Sequence, residues 1–177
     1  MSGVLILNLC KEPLHFYEFV KPVEDILKKE GIAFKTIPFN QFTSSSACDK
    51  IIICGTSLKD DHYLDLDFSW IRSTSIPILG ICAGCQMICL SFGAQLKKQT
   101  EIGYYKETFV NPFLGLRGEQ EVYHLHNKYA TLPKDFISFT ESKIPQAIKH
   151  QDKEIYGVLF HPEVRNKEMI LAFTKHR

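Results

Sequence analysis

Apolar residues recur along this chain in short unbroken runs, and the stretches between them carry helical spacing. Residues 4–9 form the first run, a buried strand. Phe16, Phe19, Val20, Val23, Ile26 and Leu27 then recur every three or four positions, which predicts one amphipathic helix ending at Gly31. Residues 33–39 predict a second strand. Residues 50–54 predict a third, which runs out into the loop Gly55-Thr56-Ser57. A short helix over residues 66–72 leads to a fourth strand at 76–81, after which Met87, Ile88, Leu90 and Phe92 resume helical spacing. Strands that are apolar throughout, rather than at alternate positions, need cover on both faces. The predicted class is therefore α/β: a doubly wound, mostly parallel sheet with flanking helices and its site at the carboxyl ends of the strands.

Beyond Phe92-Gly93 the pattern changes to brief runs at 104–110, 121–125, 136–140, 146–150 and 155–160, which predict strands and hairpins forming a small antiparallel extension. Residues 166–175 carry Met169, Ile170, Leu171 and Phe173 at the spacing of a closing helix. No internal repeat or long linker divides the chain, so residues 1–177 are expected to form a single domain.

Composition narrows the function. At 45% hydrophobic and 23% charged residues the chain can bury a proper core. Its 21 Lys and Arg balance 20 Asp and Glu, so no net field selects nucleic acid or an anionic membrane, and a small, nearly neutral substrate fits better. The first apolar run is too short for a signal peptide or a membrane span, so a cytoplasmic protein is expected. In that compartment the six cysteines, at 10, 48, 54, 82, 85 and 89, stay reduced. Cys10, Cys48, Cys54 and Cys89 then read as small hydrophobes.

Cys82 differs. In Gly80-Ile81-Cys82-Ala83-Gly84-Cys85-Gln86 it sits where an apolar strand turns sharply into a helix, with glycines two residues to either side that remove colliding Cβ atoms. The helix aims its unsatisfied N–H groups at the sulfur, a setting that favours a nucleophile. A nucleophile needs a base, and the base an orienting partner. His161-Pro162-Glu163 follows the last predicted strand and would emerge on the same sheet edge as Cys82. Pro162 favours an extended conformation at His161, and residues i and i+2 of an extended chain share a side, so Glu163 can reach the imidazole.

The cysteine motif, 79 positions before His161 in Tyr156-Gly157-Val158-Leu159-Phe160-His161-Pro162-Glu163-Val164, resembles class I glutamine amidotransferases with a Cys-His-Glu triad. It looks most like the free-standing subunits related to those of split GMP synthases. The resemblance covers nearly the whole chain and implies a flavodoxin-like fold. It also implies that Cys82 attacks the glutamine side-chain amide, His161 shuttles protons and Glu163 orients His161. Ala83 and the Gly55-Thr56 loop would supply oxyanion N–H groups, Gln86 would hold the substrate, and the main chain at Leu125 and His126 would recognise its amino-acid end. No metal or organic cofactor is implied. Glutamine is the implied substrate. No synthetase domain follows the triad, so the ammonia would pass to a synthetase on another polypeptide.

Three positions depart from the family pattern. Thr56 stands where a second glycine is usual, Leu125 where a serine is usual, and Leu159 where synthase-linked members commonly have glutamine. Rival readings are a stand-alone γ-glutamyl cysteine hydrolase on the same fold, a disulfide oxidoreductase using Cys82-x-x-Cys85, and a binding subunit without catalysis. A zinc site on Cys82, Cys85 and Cys89 lacks a second ligand pair. His124 and His126 share a strand face as potential metal ligands, but hydrogen-bonded wall residues are the expectation, with His126 nearer the substrate. Asp60, Asp61, Asp65 and Asp67 are expected to form a solvated face with helix-start signals. Tyr104, Tyr105 and Tyr123 are expected to pack or to form a docking surface. His15, His62, His150 and His176 are expected in solvated or capping roles.

Overall fold

The computed structural model describes residues 3–175, so His176 lies outside the described residues. Seven strands form the main sheet: β1 (Val4–Asn8), β2 (Phe34–Pro38), β3 (Lys50–Ile53), β4 (Ile78–Ile81), β7 (Phe136–Ser138), β8 (Ala147–His150) and β9 (Ile155–Val158). Their order is β2-β1-β3-β4-β9-β8-β7. The first five run parallel, while β8 and β7 add antiparallel strands at one edge.

Alternate residues of the parallel strands feed two separate cores, which is why the strands read as continuous apolar runs. Val4, Ile6, Ile52, Leu79, Ile81 and Val158 pack with Val20, Val23, Leu27, Met169, Ile170 and Phe173 on one face. Leu5, Leu7, Ile51, Ile53, Ile78 and Ile155 pack with Ala83, Cys85, Met87 and Ile88 on the other. The helices behind these contacts are α1 (Pro13–Phe19), α2 (Lys21–Lys29), α3 (Ala83–Ser91) and α4 (Lys167–Lys175). No helix among the described residues is long and apolar enough to cross a membrane.

Two expectations about the helices are corrected. The single helix ending at Gly31 is two, joined at Val20, because Pro22 in the first turn of α2 has no N–H to continue the ladder of α1. The helix over 66–72 is replaced by two 3-10 turns, His62–Asp65 and Ser69–Arg72. Between them the Asp67 carboxylate accepts a 3.0 Å hydrogen bond from the Ser69 N–H, competing with helical pairing.

The stretches expected as short strands at 104–110 and 121–125 belong to one long antiparallel ribbon, β5 (Leu96–Phe113) with β6 (Leu116–Ala130). Much of the ribbon is exposed and polar, so its ends carry no apolar signal. It is anchored where Val110 N–H donates to Phe139 O at 3.0 Å and where His161 N–H donates to Tyr123 O at 2.8 Å. The second anchor draws β6 across the carboxyl ends of β4 and β9.

Candidate active site

Three neighbouring parallel strands end at this edge, and each delivers one part of the site. Gly55 follows β3, Cys82 follows β4 and His161 lies just beyond β9. Ile53 pairs with Gly80 and Ile81 with Val158, so the three exits lie side by side.

Cys82 has φ 49° and ψ −102°, a conformation that side-chain-bearing residues rarely adopt. Its N–H donates to Val158 O at 2.8 Å, and its carbonyl accepts from Gln86 N–H at 3.0 Å. The flanking glycines are required by close approach. A Cβ at Gly80 would lie 2.6 Å from the main chain of Gly84, and one at Gly84 would lie 2.3 Å from Ile53 O. At Gly55 a Cβ would come 2.8 Å from His161 Cε1, so the bare backbone there makes room for the imidazole.

His161 Nδ1 and Glu163 Oε1 are 2.7 Å apart, each side chain 1% exposed. Burial alone would lower the imidazole pKa, but the charges of Glu163 and Cys82 and the hydrogen bond to Glu163 outweigh it, so His161 is held well above its ordinary value. With Nδ1 engaged by Glu163, Nε2 is buried with no other hydrogen-bond partner. The Cys82 thiol is 3.6 Å from Leu125 O, which brings this part of β6 onto the sulfur.

A narrow cleft of about 20 Å³ lies over Cys82. Thr56, Ala83, Gln86, Leu125 and His126 line it, while Gly55 stands against His161 and is not among its lining residues. Ala83 is the first residue of α3, so its N–H has no acceptor within the helix. Gln86 is held at both ends: Oε1 accepts from the Tyr63 hydroxyl and Nε2 donates to Lys128 O at 2.9 Å. Leu125 contributes its carbonyl. The His126 ring turns away to Glu101 at 2.8 Å, and burial, outweighing the Glu101 charge, holds its pKa below the ordinary value.

Sequence reasoning missed Asp60 and Tyr63. Asp60, expected on a solvated face, has a side chain only 10% exposed that lines the cleft. It accepts from Thr56 Oγ1 at 2.8 Å and lies 3.0 Å from His15 Nδ1. Burial raises the Asp60 pKa, but these hydrogen bonds prevail and hold it below the ordinary range. The hydroxyl of Thr56, absent from glycine, is thus what ties the Gly55-Thr56 loop to Asp60. Asp61 and Lys128 form an ion pair at the rim. His150 caps, accepting from Asp152 N–H at 3.0 Å and Lys153 N–H at 3.2 Å.

Cys85 faces away from the cleft. Its sulfur packs over Gly157, where a Cβ would lie 2.7 Å from it. The neighbouring Cys89 thiol and burial push the Cys85 pKa well up, which removes the reactivity a resolving thiol needs.

The family model for class I glutamine amidotransferases matches residues 14–176. The chain belongs to this family. Among curated relatives of this amidotransferase, a subunit of the glutamine-hydrolysing GMP synthase of Methanosarcina barkeri is 33% identical over 173 residues, 93% of this chain and 89% of that protein. The corresponding subunit of Methanobrevibacter smithii is 34% identical over 105 residues, and the match spans 55% of each chain. The solved structure of a protein assigned as a GMP synthase subunit from Thermoplasma acidophilum superposes with a TM-score of 0.83 at 27% identity, covering 98% of this chain and 92% of that one. The mostly parallel sheet with flanking helices is thus the amidotransferase fold.

Proposed function

We propose that this amidotransferase, acting as one domain, hydrolyses the side-chain amide of glutamine at Cys82 and passes the ammonia to a separate synthetase subunit. The observation that carries the reading is the strained Cys82 elbow beside the buried His161–Glu163 pair. His161 takes the thiol proton and the sulfur attacks the amide carbon, giving a tetrahedral oxyanion. The N–H of Ala83 and an N–H of the Gly55-Thr56 loop stabilise that oxygen. Such donors are worth roughly 3 kcal/mol each. His161 then protonates the departing nitrogen, ammonia leaves and a thioester remains. Water, deprotonated by His161, releases glutamate and restores the thiol. Glu163 keeps Nδ1 protonated and Nε2 directed at the chemistry.

The relatives named as GMP synthase subunits support a synthetase of that kind as the ammonia acceptor's enzyme. Two features support a subunit that turns over slowly alone: Cys82 is only 4% exposed, and its thiol is occupied by Leu125 O. Treatment with a glutamine-like diazoketone followed by mass spectrometry tests the chemistry. An adduct on Cys82 is expected; an intact Cys82, or an adduct elsewhere, overturns the reading. Adding a GMP synthase synthetase subunit is expected to raise glutaminase turnover and to support glutamine-dependent GMP formation. An unchanged rate with no GMP would reject that partner. γ-Glutamyl dipeptides cleaved faster than glutamine would instead favour a stand-alone hydrolase.

A further inference from the structure

A second cluster of buried polar groups lies behind the recognition segment, and the amide chemistry does not use it. Glu101 of β5 pairs across the ribbon with His126 of β6, while Gly103 stands opposite His124 and places no side chain over it. His124 and His126 share a strand face and are 0% and 1% exposed, and Glu101, at 18%, opens the cluster to solvent. Glu101 Oε2 lies 3.1 Å from His124 Nδ1 and 2.8 Å from His126 Nε2, and those two nitrogens are 3.4 Å apart.

Proton counting exposes a conflict. His124 meets a carboxylate at each nitrogen, Glu101 at Nδ1 and Glu107 Oε1 at 3.5 Å from Nε2. A neutral imidazole has one N–H, so one of those carboxylates faces a bare lone pair. His124 Nε2 is buried and its Glu107 partner is too distant for a good hydrogen bond, while Gln146 Nε2 sits 3.0 Å from Glu101 Oε2. A cation between Glu101 and the two imidazoles removes the conflict at His124. It would take the lone pair of His124 Nδ1, leaving Nε2–H for Glu107, the carboxylate–histidine–metal arrangement of many metal sites.

We propose that Glu101, His124 and His126 form a binding site for a divalent transition ion of the zinc type, which clamps the ribbon behind the recognition segment. Two imidazoles and one carboxylate suit zinc with a fourth position left open, whereas calcium and magnesium favour oxygen ligands. Tetrahedral zinc with nitrogen at about 2.0–2.1 Å separates its ligand atoms by about 3.4 Å. The two imidazole nitrogens already stand at that spacing. Leu125, between the two histidines, gives its carbonyl to Cys82, so a clamp here steadies the segment that meets the nucleophile.

The test needs no glutamine, so its failure and that of the glutaminase reading are distinguishable. Full-length protein stripped with a chelator is titrated with cobalt(II), then with zinc. The expected result is one equivalent of cobalt with visible d–d bands stronger than those of hydrated cobalt and no sulfur-to-metal charge transfer, displaced by zinc. Binding should weaken at least about tenfold in Glu101→Gln and in His124→Phe. Zinc should slow amide exchange at Leu125 and His126 in the wild type alone. Glu101→Gln preserves side-chain shape, so it decides the matter even where His124→Phe fails to fold, with circular dichroism confirming its fold. No wild-type binding, binding equal in Glu101→Gln, or a thiolate charge-transfer band would each overturn the site.

Discussion

Cys82 is held at a positive φ by its neighbours, not by preference. Residues in such regions cost about 1–3 kcal/mol and persist where the surroundings over-determine them. Here the surroundings are the two main-chain hydrogen bonds of Cys82 and the glycine contacts beneath it. Its partners set the predictions at the residue scale. Glu163→Gln is expected to lower kcat about 10³–10⁴-fold with a smaller change in KM, since the orienting carboxylate is lost; steady-state glutaminase kinetics check this. The same change should lower the pH at which His161 titrates, read by NMR of the ring protons, because the carboxylate charge is a main cause of its raised pKa. The linked sign is definite. A raised folded pKa contributes stability in full below the ordinary histidine value of about 6.5, and that contribution is lost as pH rises through the folded pKa. Wild type should therefore lose stability relative to Glu163→Gln as pH climbs above neutrality, measured by urea midpoints. Cys85→Ser should keep glutaminase activity within about twofold, since its sulfur faces Gly157; abolished activity would revive the dithiol reading.

At the scale of elements, packing of α3 on β3 and β4 sets the elbow. Gly84→Ala would drive a Cβ into Ile53 O, a backbone atom that cannot yield without moving the strand. A loss of about 1–3 kcal/mol in denaturant stability is expected, together with loss of diazoketone labelling at Cys82. The β8–β9 edge gives a prediction of opposite sign in pH. His150 accepts two N–H bonds at Nδ1, and burial, the largest cause, lowers its pKa. That stability is present above about pH 6.5 and lost as pH falls toward the depressed folded value. His150→Asn, which can still accept, should flatten the fall in urea midpoint between about pH 7 and pH 5. The element pattern also marks where periodicity was readable. Strands β1, β3, β4 and β9 and helices α3 and α4 were legible because each presents apolar residues to a core. The outer ends of β5 and β6 were not, because an exposed ribbon is held by ladder hydrogen bonds that leave little trace in side-chain type.

For the whole molecule, the site is a junction between the main sheet and the ribbon. Gln86 makes that junction, bonded to Tyr63 on one side and to the Lys128 carbonyl on the other. Gln86→Ala is expected to raise KM for glutamine about tenfold with a smaller change in kcat, as the ribbon loosens over the cleft. Equal loss in kcat with KM unchanged would place Gln86 in the chemistry instead. By itself the sequence determined the buried strands β1, β3, β4 and β9, the helices α3 and α4, the elbow at Cys82 and the pairing of His161 with Glu163. Each of these depends on residues close in the chain or on the period of a buried element. Tertiary structure decided what lies far apart in sequence and meets only through register and docking. It set the Leu125 carbonyl on the Cys82 thiol, tied Thr56 to Asp60 and His15, and gathered Glu101, His124 and His126 behind the cleft. Those contacts arise from cross-strand pairing and from the anchor of Tyr123 on His161, and a pattern of apolar and polar positions encodes neither directly.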